Sequence, residues 1–277
     1  FPPQLPEVFI NTLTRPGDIV LDPMTGSGTT ILEAHLANRI GIGFDIDPLA
    51  IMIAYVKTNS LDKNQLYKLS HSIIVNATQI IHDNPDKLIN ILNTRWKDEN
   101  RAFIDYWFTK ETQIELVALL SEIEQINDIR YRNFFLLAFS AIIITKTGGV
   151  SLALDLAHTR PHRAKVILTQ QGDIIEGKHL LENPLPNIMY ATKTLRSPIV
   201  EFQKKVLSNL SNLAPIGEAP KLSNILIADA QSFPLKNNCI DLIVTSPPYA
   251  SNAIDYMRAH KFTLVWLGYS LKALSGL

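Results

Sequence analysis

The chain has 277 residues, 46% of them hydrophobic and 19% charged, which suits a soluble globular protein with one large domain or a domain plus an insertion. Its 26 basic and 26 acidic side chains cancel, so any surface for nucleic acid must be a local basic patch. A single cysteine, Cys239, excludes a disulfide framework within the chain and a cysteine-clustered zinc site; it fits a reducing cytoplasm and reads as a small core residue.

Apolar residues Leu5, Val8, Phe9 and Leu13 recur at the spacing of one helical face, and Arg15-Pro16-Gly17-Asp18 ends that helix with turn chemistry. Residues 18–21 are short, apolar and β-branched, a buried strand. Asp22-Pro23-Met24-Thr25-Gly26-Ser27-Gly28-Thr29-Thr30 follows, and then a helix over 31–37. A glycine turn thus joins a strand to a helix N-terminus, where an open α/β sheet binds a nucleotide-like ligand. A second apolar run, 40–45, ends in Asp45. That carboxylate either accepts hydrogen bonds from two ribose hydroxyls or only caps the next helix. Asp47 and Pro48 start a helix through 51–56, and another is expected over 65–81.

From about residue 84 to 212 the pattern becomes largely helical, with helices over 112–126, 132–145 and 198–213. The run 134–145 is the longest apolar stretch; it is too short to span a bilayer and reads as a core helix. No secretory signal is visible, so the expected location is the cytoplasm, with no membrane partner. Residues 155–165 concentrate base in a neutral chain. His158, Arg160, Arg163 and Lys165 there form either a phosphate-contacting loop or a solvated basic one. Pro161 breaks any helix that would give His158 and His162 a metal-binding spacing, and no metal site is expected. Strands resume at 224–229, ending in Asp229, and at 239–244. The latter runs into Thr245-Ser246-Pro247-Pro248-Tyr249. Two consecutive prolines make a stiff corner that fixes the Pro247 carbonyl beside the Ser246 hydroxyl, with the Tyr249 ring nearby. Such a corner is either a rigid turn or a holder for a planar ring that carries an amino group.

The two motifs together, 22–30 and 245–249, resemble the amino-methylating DNA methyltransferases, which use S-adenosylmethionine to methylate cytosine N4 or adenine N6. The resemblance covers residues 1–56 and 223–269 and implies an α/β fold: a Rossmann-like methyltransferase sheet with a largely helical insertion. It divides the chain into a cofactor-binding half (1–83), an insertion that is a possible target-recognition region (84–213) and a catalytic half (214–277). It assigns Asp22, Pro23, Thr25, Gly26, Gly28, Thr29, Asp45, Asp229 and Ala230 to the cofactor, and Ser246, Pro247, Pro248 and Tyr249 to catalysis on a flipped base. The helix over 5–13 resembles one that closes over the methionine end. His158, Arg160, Arg163 and Lys165 are placed on DNA. Serine at 246 resembles the N4-cytosine branch, as found in restriction-modification systems.

The glycine motif comes first and the Ser-Pro-Pro-Tyr motif last, the reverse of the usual order for the serine type. The sheet of this fold normally continues past residue 267. The chain, which begins at Phe1 rather than methionine, is therefore expected to be a fragment or to have its sheet completed by another segment or subunit. The rival readings are an N6-adenine enzyme, a guanine-N2 methyltransferase of RNA, and a non-catalytic nucleic-acid-binding scaffold that has kept the fold.

Overall fold

The computed structural model describes residues 2–156, 161–182, 191–213, 224–232, 235–247 and 256–274. They form two units, one drawn from residues 1–62 and 213–253, the other from 63–212 and 254–276. In chain order the first unit holds α1 (Gln4–Leu13), β1 (Ile19–Asp22), α2 (Thr29–Leu36), β2 (Ile40–Asp45) and α3 (Pro48–Thr58). The second holds α4 (Lys63–Asp83), α5 (Pro85–Arg95), α6 (Asp98–Trp107), α7 (Lys110–Glu124), α8 (Ile129–Ile143), β3 (Val166–Leu168), β4 (Ile174–Glu176), α9 (Lys178–Glu182), β5 (Thr192–Thr194) and α10 (Pro198–Asn212). The chain then returns to the first unit with β6 (Asn224–Ile227) and β7 (Leu242–Ile243), and the second takes α11 (Met257–Leu264) and α12 (Leu271–Leu274).

The first unit is a parallel sheet in the order β6-β2-β1-β7. The order reverses direction on either side of β1, so the crevice at the carboxyl ends of β1 and β7 is the topological switch point where such sheets bind ligands. Val20 packs with Ile10 of α1 and Ala34 of α2 in a fully buried cluster, joined by Ala37 and Leu242. Burial in α1 differs from the sequence stripe: Ile10 and Pro6 are buried, whereas Leu5, Val8, Phe9 and Leu13 are all exposed. Asp47 caps α3 as its sequence predicts, its Oδ1 accepting the Leu49 N–H at 2.9 Å with Pro48 in the first turn.

Gly28 sets how closely α2 and α3 approach. It has φ +79°, and a Cβ there would stand 2.6 Å from the Ala54 Cβ and 2.7 Å from its Cα. Gly28→Ala is therefore expected to cost roughly 1–3 kcal/mol of stability through overpacking and backbone strain. Urea unfolding measures this, and an unshifted midpoint would mean that the α2–α3 contact is not tight in solution.

The second unit is built on α7, which is buried on most sides: Leu116, Val117, Ala118, Leu119, Leu120 and Ile123 have almost no exposure. Helices α4, α5, α8 and α10 surround it. This moves the boundaries expected from sequence. Helix α4 joins the second unit, not the cofactor half, because its buried face of Leu66, Ile73 and Ala77 packs with α7, α5 and α10. The segment after residue 256 joins it too. The Trp96 indole N–H donates to the Val265 carbonyl at 2.8 Å, Trp96 and Trp266 meet edge to face at 5.1 Å, and Asn100 bonds the backbone of both Tyr269 and Leu271. The insertion also contains a small sheet in the order β4-β3-β5, in which β3 and β4 form an antiparallel hairpin and β3 and β5 run parallel.

Candidate active site

Parallel pairing brings the functional strand ends to one edge of the first unit. Asp22 is in register with Gly43, Asp45 with Ile227, and Leu21 with Ile243. Two further backbone bonds extend the pairing, Val244 N–H to the Leu21 carbonyl at 3.0 Å and Ala228 N–H to the Asp45 carbonyl at 3.1 Å. The glycine turn, Asp45, Asp229 and Thr245-Ser246-Pro247 thus share the carboxyl edge, although 200 residues separate some of them in the chain.

The turn is fixed by its own backbone. Thr25 N–H donates to the Phe44 carbonyl at 2.8 Å, and Gly28 N–H to the Thr25 carbonyl at 2.9 Å. The Asp45 carboxylate ties the turn to β2: its Oδ2 accepts Gly26 N–H at 2.8 Å and its Oδ1 accepts Asp47 N–H at 2.9 Å. Each oxygen retains a further lone pair for an incoming hydroxyl. The two glycines of the turn serve different ends. At Gly26, with φ +51°, no atom lies within 4 Å of where a Cβ would stand, so a ligand can lie against its backbone. At Gly28 that space is filled by Ala54.

Asp22 is 2% exposed, and burial pushes its carboxyl above the usual carboxylate range. The hydroxyls of Thr245 and Thr30 face it and hold the rise back, as does Met24 N–H, which donates to Asp22 Oδ1 at 3.2 Å; the charge of Asp45 adds to the rise. Neither threonine closes a hydrogen bond of ordinary geometry, and the hydroxyl oxygens of Thr25, Thr30 and Thr245 are buried without partners among the described residues. Thr245 therefore connects the two motifs: it begins the second one and faces the carboxylate that begins the first. Sequence reasoning missed its role, as it missed Thr30 and Ala54. The available signal for Thr245 was its position as the first residue after the last strand.

The remaining expected site residues are distributed as follows. Pro23 and Thr29 flank the turn, Thr29 opening α2. Asp229 is exposed, its Oδ1 accepting Gln231 N–H at 2.8 Å, and Ala230 follows in the same turn. Ser246 and Pro247 are exposed at the end of β7. Pro248 and Tyr249, like His158 and Arg160, lie outside the described residues. Arg163 and Lys165 belong to the second unit. The Arg163 guanidinium makes a two-pronged pair with Glu176 at 2.8 Å, donates to the Tyr106 carbonyl at 2.9 Å and lies over the Tyr106 ring, so it holds the small sheet to α6. Among the described residues, no cluster of three acidic, histidine or cysteine side chains fits a metal, and no helix is long and apolar enough to cross a membrane.

The residues that build this edge are also those matched by comparison. The family model for DNA methylases of the N6/N4 type covers residues 1–56, from α1 through the glycine turn and Asp45 to α3. The chain is 25% identical to the type II methyltransferase M.MvaI of Kocuria varians, over 96% of this chain and 55% of that protein. It is 26% identical to the type II methyltransferase M.BsoBI of Geobacillus stearothermophilus, over 93% of this chain and 48% of that protein. The chain is similar to the amino-methylating DNA methyltransferases. A shorter match, to the type II methyltransferase M.MjaII of Methanocaldococcus jannaschii, reaches 41% identity over 69 residues, 25% of this chain and 13% of that protein. The chain spans about half the length of the first two of these methyltransferases. No solved structure matches it significantly.

The residues of the first unit fit S-adenosylmethionine, the cofactor of methyltransferases such as those it resembles. Gly26 offers open backbone, Asp45 offers two unfilled acceptor positions, and Asp22 lies beneath with three unpartnered threonine hydroxyls around the turn. A ligand that combines an amino acid with a ribose needs open backbone where it lies on the turn and a carboxylate for its ribose hydroxyls.

Proposed function

We propose that this chain binds S-adenosylmethionine at the glycine turn and transfers its methyl group to an exocyclic amino group of a flipped DNA base, cytosine N4. The observation that carries the reading is the common edge, on which the strand pairing sets Asp22, Gly26 and Asp45 beside Thr245-Ser246-Pro247. Asp45 holds the ribose and Asp229 with Ala230 meets the adenine end. Asp22 is sealed under the turn, so it supports the methionine end from below and faces the Thr245 hydroxyl that begins the catalytic corner.

When bound, S-adenosylmethionine supplies a methyl already activated by its sulfonium charge. The chain must therefore improve the nucleophile, an aromatic amine whose lone pair is delocalised into its ring. Hydrogen bonds from that amine to the Ser246 hydroxyl and the Pro247 carbonyl favour a more tetrahedral nitrogen. They also stabilise the positive charge that the nitrogen carries until its proton leaves, from acceptors fixed in advance by the proline corner. Alignment of the amine with the methyl adds the entropic part. The target base is out of reach inside a duplex, so it is flipped and stacked on Tyr249. Serine at position 246 favours cytosine as that base.

The test is incubation of the protein with mixed DNA and RNA and methyl-labelled cofactor, followed by nucleoside analysis. N4-methylcytosine in DNA is the expected product. N6-methyladenine would correct the base, and label only in RNA guanine would overturn the substrate. A folded protein that binds no cofactor by calorimetry would be a scaffold.

A further inference from the structure

In the basic loop that the sequence offers for nucleic acid, Arg163 is held by Glu176 and Tyr106. Uncommitted positive charge lies elsewhere in the second unit. A groove of about 210 Å³ runs between the loop after α8 and the first turns of α10; its floor is apolar, at Ala141 and Ile142, and Arg196, Lys204 and Lys205 line it with Thr145 and Ser208. Glu201 is the one carboxylate among the described residues of its lining. Lys204 Nζ pairs with Glu201 Oε1 at 2.9 Å, whereas Arg196 reaches the other oxygen only at 3.9 Å. The guanidinium therefore keeps its donors for another acceptor. Lys205 has no hydrogen-bond or ion-pair partner among the described residues. Three cations against one carboxylate leave a net positive groove in a chain whose total charge is zero.

The walls of the groove are fixed. Lys193, 9% exposed, donates from Nζ to the Thr147 carbonyl at 3.0 Å and to the Ala153 carbonyl at 2.5 Å, which pins the loop after α8. Burial and then the charge of Arg196 push its amine down to about 7. The N-terminus of α10 is already satisfied: Glu115 accepts Ile199 N–H at 3.0 Å and the Ser197 hydroxyl. The charge of the groove thus comes from side chains that can reach outward. Thr145 Oγ1 accepts Gly149 N–H at 2.6 Å. Cationic forks and hydroxyls around an apolar floor match a sugar-phosphate backbone, in which charged oxygens alternate with sugar carbons.

We propose that this groove seats backbone phosphates of duplex DNA, with Arg196 and Lys205 as the direct contacts and Lys204 adding to the field. The proposal rests on the reading of the chain as a DNA methyltransferase. It is tested by the affinity of the full chain for duplex DNA across a salt series, wild type against Arg196→Gln/Lys205→Gln. Loss of two phosphate contacts should lower the slope of log affinity against log salt by about 1.8, at about 0.9 per contact. Lys205→Gln alone changes a side chain with no partner to lose and should lower the slope by about 0.9 even if the double variant misfolds. Unchanged slopes in folded variants overturn the groove and leave the methyltransferase reading standing. A wild-type protein that binds duplex RNA but not duplex DNA overturns both.

Discussion

Ser246→Ala should slow methyl transfer by roughly ten- to a thousand-fold while S-adenosylmethionine affinity stays at the wild-type level, the upper end being typical of a lost preorganised electrostatic contact. The separation follows from the geometry. Ser246 is exposed at the end of β7, while the cofactor turn is held by its own bonds to Phe44 and Asp45. In the proposed mechanism the serine hydroxyl is one of two acceptors for the amine; the other, the Pro247 carbonyl, cannot be removed by substitution. Tyr249→Ala should lose about 1–3 kcal/mol of stacking on the flipped base and leave cofactor affinity equally untouched. Single-turnover transfer on DNA, with calorimetry of the cofactor in parallel, reads both. Wild-type rates in both variants would reduce the Ser-Pro-Pro-Tyr corner to a rigid turn. Loss of transfer caused only by loss of cofactor would overturn the division of labour between the two motifs.

The parts of the fold legible in the sequence are those in which local pattern and tertiary demand agree. Buried parallel strands read as apolar runs, and the runs 18–21 and 40–45 form the paired strands β1 and β2, which end in Asp22 and Asp45. Helices α7, α8 and α10 fall within a few residues of their periodic stretches. The small sheet β4-β3-β5 was not legible because its strands are three residues long, below the length at which alternation can be told from loop. Unit boundaries were not legible because they depend on partners distant in sequence: nothing in 256–274 announces that Val265 and Trp266 meet Trp96.

The site divides along the same line. The turn, Asp45 and the second motif are visible as residue types in order. The demand on Gly28 is not, because it arises from Ala54 on another helix. Nor is the engagement of Arg163, because its partner Glu176 lies on a strand that the sequence did not disclose. A basic residue in a basic loop looks available until the fold supplies its carboxylate. Conversely, Arg196 and Lys205 carry no motif, and only the packing of α10 beside the loop after α8 brings them to one groove.

Asp45→Ala should weaken S-adenosylmethionine binding by roughly 1.5–3 kcal/mol, the scale of hydrogen bonds to a charged group. Two losses combine in that figure. The direct one is the proposed bond from the ribose hydroxyls to the carboxylate. The indirect one is the turn itself, because Asp45 Oδ2 fixes Gly26 N–H at 2.8 Å and Oδ1 fixes Asp47 N–H at 2.9 Å, next to the cap of α3. Asp45→Asn separates them in part. The amide keeps one acceptor oxygen and presents an N–H₂ group to a backbone N–H, so one tether survives and the other faces a donor. Calorimetric affinity should therefore fall in the order wild type, Asp45→Asn, Asp45→Ala. Urea unfolding of the cofactor-free proteins measures the share that belongs to the turn alone. If both variants bind S-adenosylmethionine as tightly as wild type while unfolding at lower urea, Asp45 is only a cap for the turn and for α3, and the ribose must be held elsewhere. If affinity falls with no change in unfolding, the carboxylate acts on the ligand directly and the turn stands on its backbone bonds to Phe44 and Thr25.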